Sequence, residues 1–155
     1  FAIGVVGGRL VRQPTSKDEA IATARMLDGA GYNFSMGVGQ VNRYNLTKYN
    51  LSYETVFEPC ENLRAASSIL KECFQRAKGK FQRDQEALQA SFSCYYSGNF
   101  STGFSADFAG QPSYVQKVLN SAGNGAAPIA VIRSRKMRRN SSGTINETES
   151  ALVFK

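Results

Sequence analysis

The side chains best suited to bind a ligand gather in Ser35-Met36-Gly37-Val38-Gly39-Gln40-Val41-Asn42. Two glycines two apart let the backbone take positive φ or come close to a ligand. Gln40 and Asn42 add amide donors and acceptors and Ser35 a hydroxyl, a set that suits sugar hydroxyls and N-acetyl groups. Taken alone, the pattern also describes an ordinary tight turn. It is not a phosphate loop, because no Gly-Lys-Ser/Thr follows it. A second segment, Ser93-Cys94-Tyr95-Tyr96-Ser97-Gly98-Asn99, sets two phenols at a helix end, where core packing is the plainer reading. A third, Ser113-Tyr114-Val115-Gln116-Lys117-Val118, is by itself one amphipathic turn of helix.

Other chemistries are narrowed by composition. The chain contains no His, which removes His-based zinc sites, Ser-His-Asp triads and Cys-His dyads. A general acid would need a carboxyl raised in pKa by an apolar setting. Glu19 fits a helix cap instead, and Glu54, Glu58 and Glu61 cluster around Pro59 without matching an acid motif. The three cysteines, Cys60, Cys73 and Cys94, form no Cys-x-x-Cys pair.

Helices must position these segments. Ser16-Lys17-Asp18-Glu19 has the form of a capping box, and Ala20, Ile21, Ala24 and Leu27 follow at helical spacing, so a helix is expected over about 17–29. Pro59 opens a second helix with the stripe Leu63, Ala66, Leu70, Phe74 and Ala77, closed at Lys78-Gly79-Lys80. Asp84 caps a third, with Leu88, Phe92, Tyr95 and Tyr96 on one side, and Gly98 ends it. A short fourth helix begins after Ser113. Residues 1–14 and 31–51 read as loops, so little or no sheet is expected. Cys60 and Cys73 lie at opposite ends of the second helix, roughly 20 Å apart, too far for a bridge. An antiparallel third helix carries Cys94 back toward Cys60. A bridge, if one forms, is therefore expected between Cys60 and Cys94; the alternative is three buried thiols.

Taken together and in this order, the segments at 35–42, 94–98 and 114–118 resemble the lysozyme-like lytic transglycosylases. The likeness is nearest to the branch that serves type IV secretion systems, through Ala2-Ile3-Gly4-Val5-Val6, Gln13-Pro14, Glu19-Ala20, the stretch from Gly31 to Asn42, Cys60-Glu61-Asn62-Leu63 and Ser93-Cys94-Tyr95. The resemblance implies a mainly α, lysozyme-like (goose-type lysozyme) domain over 1–120. It implies a peptidoglycan lytic transglycosylase that opens the cell wall locally for a secretion channel. Such an enzyme uses one Glu as acid and then base, and the muramic acid 6-hydroxyl attacks to give a 1,6-anhydro product, so the usual pair of carboxylates is not needed. Its Glu would fall a few residues before Phe1, so the chain is expected to be truncated at its N-terminus and inactive by itself. Ser35, Gly37, Gln40 and Asn42 correspond to the loop lining the sugar groove. Tyr95 corresponds to the tyrosine facing the acid, and Tyr96 stands where the family has Asn. No cofactor or metal is expected.

Net charge is +7, of which residues 128–155 carry +4. Residues 121–155 read as a linker and a basic, mostly disordered tail, in which Ile129-Ala130-Val131-Ile132 is the one strand-like piece. Its Arg and Lys cluster holds no aromatic residue and no nucleic-acid-binding motif, so nucleic acid is not an expected partner. No apolar run is long enough to span a bilayer. Glycan strands, and subunits of a secretion channel, are the expected partners. Action on the wall implies the periplasm, with a signal peptide upstream. The rival from another class is a module that binds peptidoglycan, or helps assemble the channel, without cutting.

Overall fold

The computed structural model describes residues 1–123 and the two strands Lys136–Arg139 and Ile145–Thr148. The architecture is mainly α-helical with one small sheet. Strands β1 (Ile3–Val5), β2 (Phe34–Met36) and β3 (Val41–Asn42) form an antiparallel sheet in that order. Helix α1 (Lys17–Gly29) lies between β1 and β2 in sequence; α2 (Pro59–Lys78), α3 (Asp84–Ser97) and α4 (Tyr114–Gly123) follow. The chain separates into units 1–121 and 122–155. In the second unit, β4 (Lys136–Arg139) pairs antiparallel with β5 (Ile145–Thr148). The strand-like piece at 129–132 lies outside the described residues.

The helix boundaries follow local signals. The Ser16 hydroxyl caps α1 by accepting from Glu19 N–H at 3.2 Å. The Glu19 carboxylate reaches back to Thr15, accepting from its N–H at 2.8 Å and its hydroxyl at 3.0 Å, and it pairs with Arg12. This is a capping box displaced by one residue. Pro59 occupies the first turn of α2, where its missing N–H costs nothing. Gly98, at φ 78°, closes α3 by donating to Cys94 O at 2.7 Å.

The sheet is the departure from the sequence expectation, which read its residues as loops. Its register sets Ile3 beside Met36 and Met36 beside Val41, all three buried. The neighbouring row, Gly4, Ser35 and Asn42, points the other way, because side chains alternate across a strand. The buried row joins Phe34, Val56, Phe57, Leu27 and the α1 alanines in the main core. At the outer side of β1, the Gln13 side chain bonds both backbone groups of Ile3, accepting from N–H at 2.8 Å and donating to O at 3.0 Å.

Helices α2 and α3 form an antiparallel hairpin whose contact is made of small residues. Ala77, Ala87 and Ala90 are buried there, with Phe74, Phe81 and Phe100 packed around them. The expected stripe on α2 holds at Ala66, Phe74 and Ala77 and departs at its start. Leu63 is half exposed, and Asn62 and Ala65 are buried beside Ala66 instead.

The disulfide also differs from expectation. Cys73 bonds to Cys94, with Cα atoms 5.7 Å apart, and Cys60 is a free, exposed thiol, so neither a Cys60–Cys94 bridge nor three buried thiols is present. Axial position explains the pairing. Cys94 lies ten residues into α3 from the hairpin link, about 15 Å, whereas Cys73 lies five residues back from the end of α2 and Cys60 eighteen, about 7 and 27 Å. Cys73 is therefore the nearer in height, and it shares a buried face with Ala66 and Ala77, while Cys60 does not.

Candidate functional site

Residues 37–40 are the turn between β2 and β3. Gly37 takes φ 77°, and Gln40 N–H closes the turn by donating to Gly37 O at 3.1 Å. Gln40 itself sits in the left-handed region at φ 51°, a conformation that costs a non-glycine residue roughly 1 kcal/mol or more. Its side-chain amide holds it there, donating to Gly37 O at 2.8 Å and Ala2 O at 3.3 Å. A Cβ on Gly4 would stand 2.6 Å from Gln40 Oε1, so a side chain there would push the Gln40 amide out of its place.

The two loop glycines are there for packing as much as for any ligand. A Cβ on Gly37 would meet Val56 O at 2.9 Å, and one on Gly39 would meet the Ala66 methyl at 2.6 Å. Helix α2 thus lies directly behind the turn.

Ser35 and Asn42 face each other across β2 and β3, both half buried. The Asn42 amide donates to Asn33 Oδ1 at 2.7 Å and to the Ser35 hydroxyl at 3.3 Å. Its carbonyl oxygen caps the following 3-10 turn by accepting from Tyr44 N–H at 3.1 Å. Tyr95, near the end of α3, reaches the same turn: its hydroxyl donates to Gly39 O at 2.5 Å. Burial, and secondarily the neighbouring Tyr114 phenol, push the Tyr95 hydroxyl up to about 12, so it stays a proton donor across all ordinary pH. The structure therefore brings Ser35, Gly37, Gln40, Asn42 and Tyr95 into one constellation, although they come from a sheet, a turn and a helix.

Tyr96 is not part of it. Its ring stacks on Tyr114 with centroids 4.6 Å apart, and its hydroxyl donates to Asp107 at 2.6 Å. Sequence reasoning named Asn62 only within the stretch Cys60-Glu61-Asn62-Leu63 and gave it no role. It is fully buried, and its amide binds Gly39 N–H, Met36 O and Val56 O. The one signal that could have found it is an amide residue at a position facing the core of a helix, where a polar atom has to be bonded.

The constellation offers neutral donors and acceptors and no acid. Every described carboxylate lies at the surface or only partly covered. Eight are in ion pairs: Glu19, Asp28, Glu54, Glu58, Glu61, Glu72, Asp84 and Glu86. Glu19 is lowered to about 2, first by its bond from Arg12 and then by its bonds from Thr15. Glu54 and Glu72 are lowered too, by Ser52 and by Lys48 foremost. Each shift runs opposite to what a general acid needs. Among the described residues no three His, Cys, Asp or Glu side chains gather as metal ligands, and no helix is long and apolar enough to cross a membrane. Among the described residues, one cleft of about 250 Å³ lies beside Leu10, Val11 and Met26 and another of about 440 Å³ beside Arg25, Arg43 and Tyr53, and neither of these is lined by Ser35, Gln40, Asn42 or Tyr95.

Fold and site together define a mainly helical domain that presents an uncharged, amide-rich and hydroxyl-rich turn at the edge of a small sheet. The chain is similar to the type IV secretion system protein virB1 of Brucella suis biovar 1, with 57% identity over 133 residues. It is 56% identical over the same length to the proteins of that name in Brucella abortus and Brucella melitensis. The alignment covers 85% of this chain and 56% of each relative, so the chain spans little more than half the length of the proteins it matches. Close homologues are thus named as type IV secretion proteins. No protein-family model matches the chain, and no solved structure matches it.

Proposed function

We propose that the chain is the glycan-binding part of a lysozyme-like lytic transglycosylase that acts on peptidoglycan in the periplasm for a type IV secretion system. The convergence of Ser35, Gln40, Asn42 and Tyr95 on one turn carries the reading. Neutral amides and hydroxyls at a sheet edge suit a polymer of N-acetylated sugars, whose polar groups are themselves amides and hydroxyls. The names of the relatives support the secretion role, and a disulfide supports an oxidising compartment.

The second reading is a module that binds without cutting. What favours it for residues 1–123 is the state of their carboxylates, all at or near the surface, eight of them in ion pairs, with Glu19, Glu54 and Glu72 lowered in pKa. Incubation of the chain with purified murein separates the readings. We expect saturable binding, lost with Gln40→Ala and Tyr95→Ala, and no release of 1,6-anhydro-muropeptides. Release by this chain alone would assign the acid to one of its own carboxylates. Absence of binding would remove the glycan reading.

A further inference from the structure

A buried amide side chain is costly unless its atoms are bonded, so its partners reveal what holds it there. Asn62, in the first turns of α2, is completely buried. Its carbonyl oxygen accepts from Gly39 N–H at 2.7 Å. Its NH₂ group donates to Met36 O at 2.9 Å and Val56 O at 2.8 Å. One side chain thus ties the end of β2, the segment before α2 and the turn into a single unit. Gly39 is held from the other side as well, since its carbonyl accepts the Tyr95 hydroxyl from α3. There is no room for a side chain between these grips. The next residue is Gln40, the strained one.

We infer that Asn62 and Tyr95 are paired positioning residues. By holding the two backbone polar groups of Gly39, they keep Gln40 in its left-handed conformation and set how Ser35 and Asn42 are presented. This rests on the glycan-binding reading above. In it, Asn62 never touches the sugar, and Tyr95 acts through Gly39.

The test uses the full chain, solubilised murein glycan strands as ligand, and backbone amide exchange followed by NMR. Asn62→Asp keeps the size of the side chain and removes both donors. Tyr95→Phe removes only the hydroxyl, which secures the test if a buried carboxylate prevents folding. We expect each variant to bind strands roughly tenfold or more weakly. We also expect faster exchange at Gly39 and Gln40, with the amides of Ala77 and Ala90 in the α2–α3 contact exchanging as in the wild type. A general loss of stability would speed all four and overturn the proposal. Weaker binding of Tyr95→Phe with unchanged Gly39 and Gln40 exchange would mean direct contact with the sugar, and would also overturn it, as would wild-type binding by both variants. A wild-type chain that binds no murein removes the glycan reading, and the exchange rates alone then decide whether the two side chains hold the loop.

Discussion

The two ends of α2 are held by different means. Its first turns pack against the sheet, where Phe34, Met36, Val41 and Val56 are each buried to 1% exposure or less, and where Asn62 adds three hydrogen bonds. Its last turns pack against α3 through Ala77, Ala87 and Ala90, and there the Cys73–Cys94 bond joins the helices. Large side chains remove much apolar surface from water, on the order of 150–250 Å² for a Phe. Alanines let helix axes come close but bury little each. The covalent bond stands where burial is weakest. Anchoring by burial suits the end that shapes the turn, and anchoring by a cross-link suits the end that only has to keep α3, and with it Tyr95, at the right height.

The largest effect should come from the burial end. Phe34→Ala removes a fully buried ring stacked against Tyr53 and should cost about 3–5 kcal/mol, measured by denaturant unfolding. A cost below that of losing the disulfide would reverse the comparison. Breaking the cross-link, by Cys73→Ala with Cys94→Ala or by a dithiol reductant, should cost about 3 kcal/mol, because it frees a loop with a sequence separation of 21. An unfolding midpoint unmoved by reductant would show that the alanine contact suffices alone.

A smaller effect is expected at the start of α1. Glu19 has a folded pKa of about 2, below the ordinary carboxylate value, so its contribution is complete above that ordinary value and fades as pH falls toward 2. Protection of the Thr15 amide against exchange, measured relative to its intrinsic rate at each pH, should therefore fall between about pH 5 and pH 2, and Glu19→Gln should remove that dependence. The smallest effect belongs to Cys60→Ala, within about 0.5 kcal/mol, since the thiol is exposed and unbonded. A loss near that of the Cys73–Cys94 pair would mean that Cys60 takes part in the cross-link.

The helices were legible because their signals are local. Ser16, Pro59, Gly79 and Gly98 stand at or next to observed boundaries, and the expected 17–29 helix is Lys17–Gly29. The sheet was not legible, because strands of two or three residues are too short to show alternation, and the pairing of β1 with β2 joins residues about thirty positions apart. The disulfide failed for a related reason: partner choice depends on axial height in a hairpin, and reasoning from helix direction alone chose Cys60 in place of Cys73. Within the site, the turn and Tyr95 were found by residue type. Asn62 was not, because the expected stripe began at Leu63, one residue away.

Gln13 has a consequence beyond its two hydrogen bonds. An outer strand with free N–H and C=O groups is a template on which another chain can extend the sheet. By bonding both backbone groups of Ile3, the Gln13 amide stands in for that missing strand and occupies the template from within the same chain. The end of the sheet next to the Gly4 row is thereby closed to self-association. Gln13→Ala should leave the helices intact and free both backbone groups of Ile3 for pairing with another strand, read as self-association that grows with concentration.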